Sequence, residues 1–132
     1  MSDNSAIRAT LEARLASVSG LPEVVWTDEA RDPDTAVPYI RGTFLAQTKR
    51  PLDNLVKVAR GMLQLDVLYP LSQDASADAM AALIEAAYPM TGLGLTLDDG
   101  QTHIEYSQAE NGVPDGNWWR VPVVVSWTHY YN

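Results

Sequence analysis

The closing stretch, Trp118 to Tyr131, restricts the fold more than any other part of the chain. Trp119, Val121, Val123, Val125 and Trp127 recur at every second position. Only a β-strand turns that period into a single face. Val124 falls between them, so the middle of the strand is apolar on both sides. Pro122 has no N–H to give to a neighbouring strand, which suits a sheet edge or a bulge. Two placements satisfy these residues. Residues 121–125 form an edge that a second subunit covers, since a bare apolar edge invites aggregation, or the strand is central, with a helix on each side and a local bulge.

The rest of the chain supplies what this strand packs against. In residues 3–19, Ile7, Leu11, Leu15 and Val18 recur at spacings of four, four and three, one face of a helix. Arg8 and Glu12 pair one turn apart on the other side. Gly20 stands where a C-terminal cap belongs, and Pro22 blocks continuation. Val24-Val25-Trp26 is a short β-type run. Residues 38–48 read as extended, with Ile40 and Phe44 on one face and Tyr39, Arg41, Thr43 and Leu45 on the other. In residues 61–69, Leu63, Leu65 and Val67 alternate with Met62, Gln64, Asp66 and Leu68. Residues 72–76 lead into a second helix ending before Pro89, with Met80, Leu83, Ile84, Ala87 and Tyr88 as its apolar stripe. Residues 93–97 and 101–107 flank Asp98-Asp99-Gly100, a hairpin signal because glycine tolerates positive φ. Strands in runs, with helices between them and no βαβ regularity, predict an α+β fold. The expected arrangement is a mainly antiparallel sheet with two helices packed on one face, in a single domain over residues 1–132.

Composition removes several kinds of chemistry. The chain has no cysteine, so disulfides, thiolate catalysis and cysteine-bound metal are excluded. Net charge is −8, from 17 acidic against 9 basic residues, which opposes tight binding to duplex DNA. No apolar run reaches the ~18 residues of a membrane span. The opening Met-Ser-Asp-Asn-Ser lacks the basic and apolar parts of a signal peptide, so residence in the cytosol is expected.

Motifs for catalysis are missing too. His103 and His129 each lie in a predicted strand and are expected on the exposed surface. The serines lack a Gly-x-Ser-x-Gly elbow, and the glycines form neither a Walker loop nor a dinucleotide fingerprint. No catalytic residue and no cofactor is expected. Asp28, Glu29, Asp32 and Asp34 make the one cluster of oxygen ligands. Pro33 interrupts it and the spacing is not that of an EF-hand, so a solvated loop is expected there and not a metal site.

What remains distinctive is surface. Residues 49–60, read as a connection between two strands, hold Lys49, Arg50, Lys57 and Arg60, four of the nine bases, with Leu52, Leu55, Val56 and Val58 among them. A connection this long within a compact domain is usually functional or mobile. It is expected to be mobile in the free subunit and to order on assembly, its bases meeting an acidic neighbour. Arg41, Lys49, Arg50, Leu55, Val56, Lys57, Arg60, Arg120 and Val124 are the expected contacts with other subunits or partners.

Several segments in order resemble a known group: the helix Ile-Arg-Ala-Thr-Leu-Glu-Ala-Arg-Leu, Val37-Pro38-Tyr39-Ile40-Arg41, Arg60-Gly61-Met62-Leu63-Gln64-Leu65-Asp66-Val67, the helix over residues 78–88, and Trp119-Arg120-Val121-Pro122-Val123. Together they resemble the small phage tail-terminator proteins related to the lambda minor tail protein U, and prophage-encoded families grouped near them. The resemblance implies a non-enzymatic ring, usually of six subunits, that caps the tail tube and docks to head-completion or connector proteins. It implies assembly in the host cytoplasm, a place in the virion tail, and DNA passing through without specific binding. The acids Asp28, Glu29, Asp32, Asp34, Asp98 and Asp99 would then face the channel, or simply keep the subunit soluble. Another neck or head–tail joining component, or a small ligand-binding domain or enzyme, is the alternative.

Overall fold

Three long strands lie side by side and carry everything else. In the computed structural model, which describes residues 4–27, 37–51, 56–89, 97 and 101–131, the elements run as follows. Helix α1 (Asn4–Ala16) precedes strands β1 (Glu23–Trp26), β2 (Tyr39–Pro51) and β3 (Lys57–Pro70). A 3-10 turn (Leu71–Gln73) leads into helix α2 (Asp74–Ala87), then β4 (Thr102–Ala109), β5 (Val113–Asp115) and β6 (Trp118–Tyr131). The sheet order is β1-β2-β3-β6-β4, with β5 also beside β6. β1 is parallel to β2, and the other pairings are antiparallel. This is the α+β fold the alternating runs predict.

Register decides which residues share a face. Phe44, Leu63 and Val125 stand in one row across β2, β3 and β6, and Ile40, Val67 and Val121 in another. These rows, with Leu65, Val123 and Trp127, form the covered face of the sheet. Helix α2 sets Ala77, Met80, Ala81 and Ile84 against it. Helix α1 lies beside α2 and adds Ile7, Leu11 and Leu15, all buried. Each such side chain contributes about 1.5–3 kcal/mol by leaving water. Two polar contacts hold the helices together: the Tyr88 hydroxyl donates to the Leu11 carbonyl at 2.6 Å, and Arg14 Nε donates to the Ala87 carbonyl at 2.7 Å. The second satisfies a carbonyl at the end of α2 with a cation, where the helix dipole favours one.

Trp127 shows how tightly this face is built. Its ring is fully buried and stacks on Phe44, centroids 5.6 Å apart and planes within 8°. It lies against Gly61, its partner on β3, where a side-chain carbon would collide with the indole and with the Leu45 carbonyl. Glycine at 61 is therefore what lets the tryptophan lie flat on the sheet.

Four expectations are corrected here. Residues 49–60 are not one long connection: β2 continues to Pro51 and β3 begins at Lys57, with Pro51 paired to Lys57. The polar and apolar residues mixed there hid the strand period. Residues 121–125 are not an edge, because β6 pairs with β3 on one side and with β4 and β5 on the other. The Pro122 carbonyl accepts from the Glu110 N–H at 2.8 Å, and a strand residue points its N and O to the same side. The missing N–H of Pro122 therefore faces Glu110, just past the last residue of β4, and not the interior of the ladder. Leu83 stands outside the α2 stripe, 51% exposed. His129 is buried, not exposed. The expected hairpin around Asp98-Asp99-Gly100 lies mostly outside the described residues, although the Leu97 N–H does donate to the Thr102 carbonyl at 2.7 Å.

Candidate assembly surfaces

No described helix packs on the second face of the sheet, and its residues follow from the same register. Leu45, Met62, Ser126 and Tyr106 form a row across β2, β3, β6 and β4. Its outer members are the open ones, Leu45 47% and Tyr106 41% exposed. Beside it run Thr43, Gln64, Val124 and Gln108, with Val124 half-buried. Such a face is neither a dry core nor an ordinary charged surface.

Its arginines have partners. Arg41 pairs with Asp66 at 3.1 Å, and Gln64 donates to the other Asp66 oxygen at 3.2 Å. Arg60 lies 4.0 Å from Glu105, which also accepts from the Thr128 hydroxyl. Arg120 lies 3.5 Å from Asp115. The β4 register shifts between Ile104 and Tyr106, a bulge at Glu105 that sets its carboxylate between strands. A guanidinium held by a carboxylate offers less to a phosphate than a solvated one, since phosphate affinity depends on cations replacing counterions.

Two further surfaces lie at opposite ends of the sheet. At one, β2 and β3 end together in Lys49, Arg50 and Lys57, with Val56 half-buried next to the exposed Lys57. At the other, α2 and the link between β4 and β5 enclose a cleft of about 250 Å³ lined by Asp78, Glu85, Glu110, Ala81, Ala109 and Val121, among others. Glu85 is fixed there by the Ala109 N–H at 2.6 Å, and Asp78 accepts from the Trp119 indole at 3.2 Å. The volume is below the roughly 300–1,000 Å³ of ordinary ligand pockets. It has room for a side chain or two.

The titratable groups of the core are placed for structure. His129 Nδ1 and the Thr102 hydroxyl share a hydrogen bond of 2.8 Å inside the covered face, whereas outside the core His103 meets the exposed Tyr130 edge-on at 5.4 Å. Burial pushes the Tyr88 phenol well above its ordinary value, against the opposing effect of Arg14, so it remains a hydrogen-bond donor. Among the described residues no group of three or more histidine or carboxylate side chains is arranged to hold a metal. No described helix is long and apolar enough to cross a membrane.

Of the contacts expected from sequence, Arg41, Arg120 and Val124 lie on the second face, and Lys49, Arg50, Val56, Lys57 and Arg60 gather at or near the basic end. Leu55, Asp28, Glu29, Asp32, Asp34, Asp98 and Asp99 lie outside the described residues. Sequence reasoning missed Asp66, Glu105 and Asp115, the partners of the arginines, and the cleft acids. The one signal for Asp66 was its place as the only charge in a run of apolar residues and one glutamine over residues 61–69, since a buried carboxylate needs a partner.

The family model described as "Phage tail terminator protein" matches residues 6–127. No curated protein matches the chain. One solved structure has a TM-score of 0.71 at 22% identity, with 100% of this chain and 99% of that chain covered; the likeness bears on the fold alone. A chain from "Virion of native gene transfer agent (GTA) particle" has a TM-score of 0.48 at 17% identity, covering 93% of this chain and 86% of its own.

Proposed function

The chain belongs to the phage tail terminator protein family, and on that premise we propose that it closes the end of a tail tube as a ring of its own copies. The family is a structural one, so the protein is a component of the virion tail and not an enzyme. The finer reading is that six copies form the ring, acting as single domains over residues 1–132. One side of the ring meets the last layer of tube protein, and the other receives the head-completion or connector proteins. Assembly takes place in the host cytoplasm, and DNA crosses the ring without specific binding.

The observation that carries this reading is the match over residues 6–127. The second face of the sheet supports it. Leu45 and Tyr106 are apolar surface with no described cover, and such surface marks contacts with other proteins. The paired arginines Arg41, Arg60 and Arg120 suit a protein that DNA passes without adhering. The acids of residues 28–34, with Asp98 and Asp99, would add repulsion on the channel side.

The test is a polymerisation assay with purified tail tube protein, read by electron microscopy. Tubes grown with this protein should stop lengthening and carry a ring at one end, and native mass spectrometry of that ring should give six subunits. Tubes of unchanged length with no cap would overturn the terminator role. A cap of another subunit number would correct the stoichiometry alone.

A further inference from the structure

We propose that the basic end of the β2–β3 hairpin of one copy seats in the acidic cleft between α2 and the β4–β5 link of the next copy. The contact rests on the self-assembly reading above and names the two surfaces that meet.

The bases of the chain are unevenly placed. Arg8 bonds Glu12, Arg14 the Ala87 carbonyl, Arg41 Asp66, and Arg120 faces Asp115. Both lysines of the sequence, Lys49 and Lys57, stand with Arg50 at the paired ends of β2 and β3, and Lys57 is exposed. The cleft has the opposite character. Asp78, Glu85 and Glu110 are the charged residues of its lining, over a floor of Ala81, Ala109 and Val121. A lysine suits such a site in two ways: its methylene stem covers the small apolar floor while the ammonium reaches the carboxylates. Glu85 needs no ordering for this, because the Ala109 N–H already holds it.

A chain cannot fill its own cleft. Tyr130, paired with Val58 at the basic end, and Val121, on the cleft floor, are separated by roughly 30 Å of strand, at about 3.3 Å per residue. β3 stays paired to β6 as far as Lys57, opposite Tyr131, so the hairpin cannot fold back. Complementary surfaces at opposite ends of one subunit make a head-to-tail contact, which closes into a ring when the rotation between copies allows.

Charge reversal with complementation tests it. One variant carries Lys49→Glu, Arg50→Glu and Lys57→Glu; the other carries Asp78→Lys and Glu110→Lys. Analytical ultracentrifugation of the full chain at low salt should show the wild type assembled and each variant alone at least tenfold weaker. A 1:1 mixture should assemble again, because reversed hairpins then face reversed clefts around an alternating ring. That recovery also shows that both variants fold. If both variants assemble like the wild type, this contact is wrong while self-assembly stands. Weakened variants that the mixture does not recover also overturn the pairing. A wild type that remains monomeric at every concentration overturns the self-assembly reading and this contact together.

Discussion

The two faces of the sheet share strands and alternation, yet they are held in different ways. On the covered face, Ile40, Leu63, Leu65, Val67, Val123, Val125 and Trp127 are buried with α1 and α2 above them. Apolar area is the stabilising term there, and close packing makes every methylene count. On the second face, Arg41–Asp66 and Arg60–Glu105 contacts stand between half-buried Val124 and exposed Leu45 and Tyr106. Its exposed members owe little to folding. The difference teaches where to look for each property: stability on the first face, assembly on the second and at the two ends of the sheet.

The largest expected effect breaks the first face. Trp127→Ala removes the largest buried side chain and its stacking on Phe44, and should cost about 3–5 kcal/mol, read as a drop in the urea midpoint at unchanged m. A loss below about 1 kcal/mol would mean that this face is not the core. Gly61→Ala attacks the same contact from the other side. It should cost about 1–3 kcal/mol by overpacking, and less in a Trp127→Leu background, where only the Leu45 carbonyl still crowds the added carbon. A smaller effect is pH-linked. Burial raises the Tyr88 phenol above its ordinary 10.0, so the folded state keeps a proton that the unfolded state releases. That stability is whole below pH 10 and declines above it, by about 1.4 kcal/mol per pH unit. Tyr88→Phe should flatten the alkaline slope of the chemical unfolding curve.

The second face should respond weakly in the same assays. Asp66→Ala frees Arg41, whose side chain is 40% exposed and can be rehydrated, so about 1 kcal/mol is expected. Leu45→Ser with Tyr106→Ser should move stability by about 0.5 kcal/mol or less while reducing assembly measured by light scattering. A double variant that unfolds would erase the distinction between the faces. One that folds and assembles normally would leave the two ends of the sheet as the assembly surfaces.

Local pattern was legible because periodicity is a property of consecutive residues. The stripe Ile7, Leu11 and Leu15, the Arg8–Glu12 pair at 3.0 Å, Gly20 at φ 73° and the inner row from Val121 to Trp127 all follow from spacing and residue type. So does the α+β arrangement. The tertiary structure alone decided that β6 is interior, since the alternation of a strand says which face is apolar but not which strands flank it. It decided the length of β2 and β3 as well. Residues 49–51 and 57–60 mix charged and apolar types without a clean period, and only pairing across the hairpin, with β6 along β3, makes them strand. The burial of His129 and the cleft beside α2 depend on segments distant in sequence meeting in space: Thr102 with His129, and Glu85 with Ala109. Helix and strand propensity act over a few residues, whereas strand order and side-chain partners are set by contacts that exist only once the whole chain has folded.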